Sequence, residues 1–495
     1  MKRLSTESLA QLPPQVQTPR YDRDSTDIGI VHLGIGAFHR AHQALYTEQV
    51  LNETGGAWGI CGVSLRSATV RDQLAPQDCL YTVSVNSDAG RKLQLVGAVK
   101  TVLVASESPS AVIEALCLPS VHVVTLTITE KGYCLNPASG RLNESHPDIR
   151  HDLAYPDQPI TAIGFIARAL EHRRKNGQAG LTIISCDNWF ANGKRLGQAV
   201  LDFSTLVDTE LQTWIADHCR FPCTMVDRIV PVTTLEDRER IGNTLGHEDQ
   251  ACVMTEPFSQ WVIEDNFAGP VPDWRSAGAT LVSDVQPFEK MKLRMLNGSH
   301  STLAYLACLA RIDTVSEAIT HPEIRLLVEK LMREEMVPTL SLPGSFDLDA
   351  YADQLLQRFA NTALHHQTRQ IAMDGSQKIP QRLLPALNDY LQKGESSAAI
   401  MLGIAAWIRY TRGIDESGIR YQLDDPLSEQ LEILHEACGP DVESYLPAIL
   451  GISEVFDVEL KNNLLFSKGL REALDTLESL GALATARLVG DKTNG

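Results

Sequence analysis

The sequence predicts an α/β N-terminal domain, residues 1–280, followed by a mainly α-helical C-terminal domain, residues 281–495. Three observations predict it. Short apolar, β-branched runs alternate with helical stretches through the first part, which is the pattern of a parallel sheet with crossover helices. The break Gly269-Pro270 and Pro272 ends that pattern. Beyond it the β character fades and amphipathic helical periodicity fills the chain.

The totals bound the reading. A chain of 495 residues, 43% hydrophobic and 21% charged, suits two or three soluble globular domains. The net charge of −18 argues against non-specific nucleic-acid binding and against an anionic membrane surface. It leaves room for a local basic pocket. No apolar run is long enough to span a membrane, and Met1-Lys-Arg-Leu-Ser-Thr-Glu-Ser8 lacks a signal-peptide core. The ten cysteines form no Cys-x-x-Cys pair, and several lie in apolar runs. Reduced, buried thiols in a cytoplasmic protein are expected, and no metal site. No pattern specifies an oligomeric state.

In chain order, residues 1–27 read as a polar arm. Ile28–Leu33 is a short apolar strand that runs into Gly34-Ile35-Gly36-Ala37-Phe38-His39, with a helix to about Asn52. Strand, glycine turn and helix form the context of a dinucleotide-binding turn. Gly34 allows the tight turn, and Gly36 lets backbone approach a pyrophosphate. His39 stands where the usual third glycine would be. Trp58–Val63 reads as a second strand. The acid that commonly follows it to hold a ribose hydroxyl is missing, and Arg66 stands there. Arg66 could accommodate a 2′-phosphate, stack on adenine or be a solvated loop charge.

Further strands are expected at 99–104, 121–129 and 181–185, with helices at 109–116 and 160–175. Two strand ends carry polar clusters, Thr129-Glu130-Lys131-Gly132-Tyr133 and Ser185-Cys186-Asp187-Asn188. Ligands of open α/β sheets bind at carboxyl ends of strands, so Glu130 and Asn188 are candidates. Plain loop chemistry is the alternative, with Asn192-Gly193 a standard turn signal. Phe221–Pro231, with Asp227 and Arg228, precedes a helix at 234–245 and a strand at 251–255.

In the C-terminal part, Glu289–Tyr305 reads as helix: Met, Lys, Leu, Arg and Ala dominate and no proline falls between 288 and 321. It carries Lys292, Asn297 and His300 in nine residues. At about 100° per residue, Lys292 and His300 lie about 80° apart, with Asn297 about 60° beyond His300. They can share one broad face but not a narrow stripe. A lysine in an apolar pocket suits proton transfer, an asparagine can donate to an alkoxide, and a histidine can orient a hydroxyl. A solvated basic face is the bland alternative.

Taken together, these motifs resemble the polyol-specific long-chain dehydrogenase/reductase family, which includes mannitol 2-dehydrogenase. The glycine turn with its histidine, the two strand-end clusters and the spacing Lys292-x-x-x-x-Asn297-x-x-His300 carry the resemblance. Three segments, 221–231, 260–267 and Gln370–Lys378, are similar to the fructuronate reductase (D-mannonate oxidoreductase) branch. The resemblance implies a Rossmann-type domain at 1–280 and a helical catalytic domain at 281–495. It also implies metal-independent hydride transfer with NAD, NADP remaining open because the acid after strand two is absent.

On that basis Lys292 would be the acid–base group, Asn297 and Asn188 oxyanion donors and His300 the holder of a neighbouring hydroxyl; Glu289, one helical turn before Lys292, could relay protons, tune the lysine or form a surface salt bridge. Gly34, Ile35, Gly36, Ala37, Phe38, His39, Arg66, Thr129, Glu130 and Lys131 would contact the cofactor. Asn188, Asp227, Arg228, Lys292, His300, Arg369 and Lys378 would contact the substrate, with a cation among Arg228, Arg369 and Lys378 holding a sugar-acid carboxylate. D-fructuronate and D-mannonate are the expected pair. A neutral polyol of the mannitol or arabinitol type, and a catalytically idle nucleotide-binding member, are the alternatives.

Overall fold

The computed structural model describes residues 1–136, 139–344 and 346–491. The chain divides into two compact units, Met1–Gln286 and Pro287–Gly495.

The first unit contains strands β1 (Ile28–Leu33), β2 (Gly59–Ser64), β3 (Tyr81–Ser87), β4 (Gly90–Val96), β5 (Val99–Val104), β6 (Val123–Leu126), β7 (Thr182–Ser185), β8 (Thr224–Asp227), β9 (Val253–Thr255), β10 (Gln260–Glu264) and β11 (Thr280–Val282). Five of them form a sheet in the order β5-β2-β1-β6-β7, with every neighbouring pair parallel. Both faces are covered, which is why these strands read as apolar runs rather than alternations. Val31, Leu33, Val63 and Leu126 enter one core with Phe165 and Leu170 of the helix Ala162–Lys175. Ile30, Ile60, Val123 and Ile184 enter the other with Leu45 and Val50 of the helix Gln43–Thr54. The chain leaves β1 toward β2 and later returns on the other side of β1 as β6. That reversal opens a crevice at the carboxyl ends of β1 and β6, the place where such sheets take ligands.

Two smaller sheets, β4-β3-β9 and β11-β10-β8, complete the unit. The β3–β4 hairpin is absent from the sequence reading. Its signal was there: Tyr81, Val83 and Val85 alternate with polar residues, and Asp88-Ala89-Gly90 makes the turn.

Two elements depart from expectation. The helix after β1 is broken at His42 (φ −127°, ψ −90°) into Ala37–Ala41 and Gln43–Thr54. The His42 ring bonds the Gln260 carbonyl at 3.0 Å, and Tyr81 donates to the Arg40 carbonyl at 2.8 Å, drawing that group out of the helical ladder. The strand expected at 121–129 ends at Leu126, because the Asp187 carboxylate captures the amides of Ile128 and Thr129.

The described residues of the second unit form helices and isolated bridges, with no strand ladder. Its centre is the helix Ser299–Leu309, buried nearly throughout, packed against Ala398–Tyr410. The approach is close: a Cβ on Gly403 would lie 2.4 Å from Thr302 Oγ1. The Glu335 carboxylate accepts from the amides of Ala399 and Ile400, both at 2.9 Å, and so caps Ala398–Tyr410. Among the described residues no helix is long and apolar enough to cross a membrane. All ten cysteines are free thiols, eight of them buried.

Candidate active site

In the first unit, Gly34 takes φ +94°, a backbone region that favours glycine, and its amide bonds Val63 O at 2.8 Å. A Cβ there would stand 2.1 Å from the Thr127 carbonyl oxygen. Gly36 is different. It is exposed, has ordinary extended angles (φ −85°, ψ −172°), and a Cβ on it would meet no atom closer than 3.8 Å. The protein's own packing does not require a glycine there; a group lying against the turn would. The turn therefore fits a dinucleotide by its bare backbone.

The neighbouring side chains point elsewhere. Ile35 is buried, and its Cδ1 occupies the space over Gly62, where a Cβ would lie 2.2 Å away. The His39 ring is also buried, stacked at 3.4 Å on His32. His32 bonds Thr125 Oγ1 at 2.7 Å and Thr127 Oγ1 at 2.9 Å. Burial lowers His32 to about 3 and His39 well below the usual imidazole range, so the pair is neutral. The Ile35 and His39 side chains thus lie within the fold, and neither His39 ring nitrogen has a hydrogen-bond partner. Both pack the turn from beneath, and the histidine stack replaces the close helix–strand approach that a third glycine would allow. Ala37 and Phe38 are half-buried, and the Phe38 ring stacks on His42 at 5.0 Å. Arg66 is exposed just past β2. Asp72, the first acid after β2, is ion-paired with Arg71 at 2.8 Å.

The two strand-end clusters are tied together by Asp187, which the sequence motif contained but to which no role was given. Its buried carboxylate accepts from Ile128 N (3.1 Å), Thr129 N (2.9 Å) and Tyr133 Oη (2.6 Å). Burial raises its pKa above the ordinary carboxylate value. These bonds hold Thr129 at φ +61°, ψ +164°, a conformation that costs about 1–3 kcal/mol for a residue with a side chain. Glu130 and Lys131 follow it, exposed, in a short 3-10 turn. Asn188, also exposed, follows Asp187 directly. Asn192-Gly193 is no turn: it opens the helix Asn192–Val207, and buried Asn192 bonds Asp187 O at 3.0 Å and Thr224 O at 2.9 Å.

Asp227 ends β8 and is buried opposite Gln260. Arg228 is spent on the fold. Its guanidinium donates to Ala41 O (2.7 Å) and Glu256 O (3.0 Å), and burial lowers it to about 10. The cation thus serves two backbone carbonyls, and its buried Nε has no hydrogen-bond partner.

In the second unit, Lys292–Gly298 is a π-helical segment between the α-helices Gln286–Met291 and Ser299–Leu309. The hydrogen bonds there run i→i+5, so residues five apart stack along one stripe. Lys292 and Asn297 are five apart. The α-helical wheel spread them over a broad face; the π turn aligns them instead. Such segments recur at functional sites. Lys292, Asn297 and Glu289 are all buried.

His300 lies one α-helical turn beyond Asn297. Its ring stacks on Phe359 at 5.0 Å and meets His366 edge-on at 5.2 Å. Burial, then His366, Arg382, Arg358 and Lys378, hold its pKa well below the usual value, so the ring is neutral. Three buried nitrogens here have no hydrogen-bond partner: Asn297 Nδ2, His300 Nε2 and His366 Nδ1. Buried polar atoms are normally paired, so such a group marks a place built for a polar ligand. Lys378 donates to Ile371 O (3.2 Å) and Met373 O, and burial followed by Arg382 lowers it to about 8. Arg369 is exposed over the Tyr421 ring at 5.1 Å. Arg382, which the sequence reading passed over, reaches Ser301 Oγ at 2.9 Å, next to His300. Among the described residues no group of three or more His, Cys, Asp or Glu side chains is placed to hold a metal ion.

Comparison with known proteins agrees with this division. Residues 28–276 match the mannitol dehydrogenase Rossmann domain and residues 284–478 the mannitol dehydrogenase C-terminal domain. The chain is 45% identical to the D-mannonate oxidoreductase of Escherichia coli (strain K12), over 94% of this chain and 96% of that one. It is 44% identical to the uncharacterized oxidoreductase YeiQ of the same organism, over 97% and 98%. Among solved structures, the mannitol 2-dehydrogenase of Pseudomonas fluorescens in ternary complex with NAD and D-mannitol superposes with a TM-score of 0.87 at 36% identity, covering 99% of this chain and all of that one. A Rossmann-like parallel sheet carrying a glycine turn, a helical unit carrying Lys292, Asn297 and His300, and this full-length similarity lead to one conclusion: the chain is an oxidoreductase of the mannitol dehydrogenase family.

Proposed function

We propose that the protein is an NAD-dependent, metal-independent secondary-alcohol dehydrogenase that interconverts a keto sugar acid and its sugar alcohol acid, D-fructuronate and D-mannonate. The observation that carries the chemistry is the π turn, which sets Lys292 and Asn297 on one stripe beside a neutral His300 with an unpartnered Nε2. The similarity to a D-mannonate oxidoreductase supports the choice of substrate.

In this reading the backbone of Gly34 to Phe38 holds the pyrophosphate, and Arg66, Thr129, Glu130 and Lys131 border the nucleotide. Bound there, NAD would supply the hydride acceptor for oxidation and, reduced, the donor for reduction. Lys292 as the amine takes the hydroxyl proton during oxidation; as the ammonium it returns that proton to the forming alkoxide. Asn297 donates from Nδ2 to the developing oxyanion, with Asn188 proposed as a second donor. His300 bonds a neighbouring hydroxyl through Nε2. Glu289, one turn before Lys292, exchanges the lysine's proton with solvent.

A neutral-polyol dehydrogenase is the second reading, favoured by the 36% identity to a mannitol 2-dehydrogenase. Consumption of reduced cofactor with D-fructuronate, D-tagaturonate and D-fructose, each with NADH and NADPH, separates the two. Turnover of fructuronate with NADH is expected. Lys292→Ala should cost about 10²–10⁴-fold in kcat while NADH binding is retained, because general acid–base catalysis supplies about that factor. Turnover of fructose alone would move the protein to the polyol reading. NADH binding without turnover of any sugar would leave the idle nucleotide-binding reading.

A further inference from the structure

We propose that Arg382, with Lys378 one helical turn before it, is the specificity-determining receptor for the substrate's carboxylate. This rests on the sugar-acid reading above and names the residues that enforce it. Both side chains belong to the helix Gly375–Arg382, at the i, i+4 spacing that puts them on one face. Arg382 donates to Ser301 Oγ at 2.9 Å, and Lys378 donates to the carbonyls of Ile371 and Met373. Among the described residues neither has a carboxylate within ion-pair distance.

Asp374 opens this helix and, with Asp424 and Asp425, acts on Lys378 through space without a direct ion pair. The Asp425 carboxylate accepts from Ser376 N (2.8 Å), Ser376 Oγ (2.6 Å) and Leu427 N (2.9 Å). Two like charges on one face, mostly withdrawn from water and held by no direct ion pair, form an arrangement that an incoming anion stabilises. A guanidinium keeps several donors beyond the one given to Ser301, in the planar fork that fits a carboxylate.

The placement suits a substrate as well as an anion. Ser301, which holds Arg382, directly follows His300. His300 Nε2 and His366 Nδ1 are buried without partners beside it. Hydroxyl-binding and anion-binding groups therefore lie together in the second unit, as a polyhydroxy acid requires. In a chain of net charge −18, a local cationic pair of this kind is also what would draw an acidic substrate inward.

The test compares wild type, Arg382→Met and Arg382→Lys on D-fructuronate, D-fructose and D-fructose 6-phosphate, with NADH affinity measured separately. Expected for Arg382→Met is a KM for fructuronate raised by about ten- to a hundredfold, the loss of a charge-assisted hydrogen bond. Its kcat, its NADH affinity and its rate on fructose should be little changed, and Arg382→Lys should recover part of the loss. An unchanged KM, or a parallel loss on fructose that would mark a merely structural role, overturns the proposal. So does a loss confined to the phosphate ester. If Arg382→Met does not fold, Lys378→Met must raise the same KM selectively, and its failure to do so is equally fatal. Wild-type enzyme that turns over fructose and not fructuronate would refute the sugar-acid reading itself; wild type active on fructuronate with an indifferent Arg382→Met would refute only this assignment.

Discussion

The glycine turn offers a sharp separation of folding from binding. Gly36→Ala places a methyl in open space: the nearest protein atom to the new Cβ is 3.8 Å away and φ −85° is ordinary for alanine. Removing glycine's freedom from the unfolded chain should then stabilise the protein slightly, by up to about 0.4–1 kcal/mol. The same methyl would occupy the surface on which a pyrophosphate lies. Overpacking of that size costs about 1–3 kcal/mol, which corresponds to NADH binding weakened by about five- to 150-fold.

Gly34→Ala is the contrast. It forces a residue with a side chain to φ +94° and sets a Cβ 2.1 Å from Thr127 O. Backbone strain of about 1–2 kcal/mol and overpacking of about 1–3 kcal/mol together predict a loss of about 2–5 kcal/mol in stability. Titration of NADH by fluorescence and urea unfolding of both variants would measure the two effects. A Gly36→Ala protein that unfolds like wild type and binds NADH equally well would refute the assignment of this turn to the nucleotide.

Two further predictions concern stability, and one concerns catalysis. His32 titrates near 3 when folded, and burial lowers His39 and His300 as well. A depressed histidine contributes stability that is present above its unfolded value of 6.5 and lost as pH falls toward the folded value. Between about pH 7 and about pH 5.5 His32 should cost about 1.2 kcal/mol, so the urea midpoint of wild type must fall over that interval relative to that of His32→Gln; an equal pH dependence of the two would contradict the burial argument. Arg294, on the π segment, is buried and pairs with Asp389 at 2.5 Å while also donating to Thr339 O and Pro385 O. Because Asp389 remains 37% exposed, Arg294→Ala should cost about 2–3 kcal/mol rather than the full penalty of a buried pair. A change under about 0.5 kcal/mol would show the pair to be ornamental. The Lys292→Ala variant, with its expected loss in kcat and retained NADH binding, checks the proton-transfer role.

What the sequence by itself determined is the local grammar. Apolar runs at 28–33, 58–63, 99–104 and 181–185 announce strands, and Gly34 announces a tight turn, which the structure builds with positive φ. The helical second half follows from its periodicity, because a 3.6-residue repeat is written in neighbouring residues. Partners far apart in the chain leave no such trace. Nothing local says that β6 returns beside β1, that Asp187 reaches back 59 residues to Ile128, or that Arg228 is claimed by a carbonyl 187 residues away while Arg382 reaches Ser301. The π turn was equally hidden. Its residues favour helix of any pitch, and only the packed structure selects the i→i+5 ladder that lines up Lys292 with Asn297. Burial and long-range hydrogen bonding decide which of the chain's charges serve the fold and which stay available for chemistry, and both are properties of the tertiary structure alone.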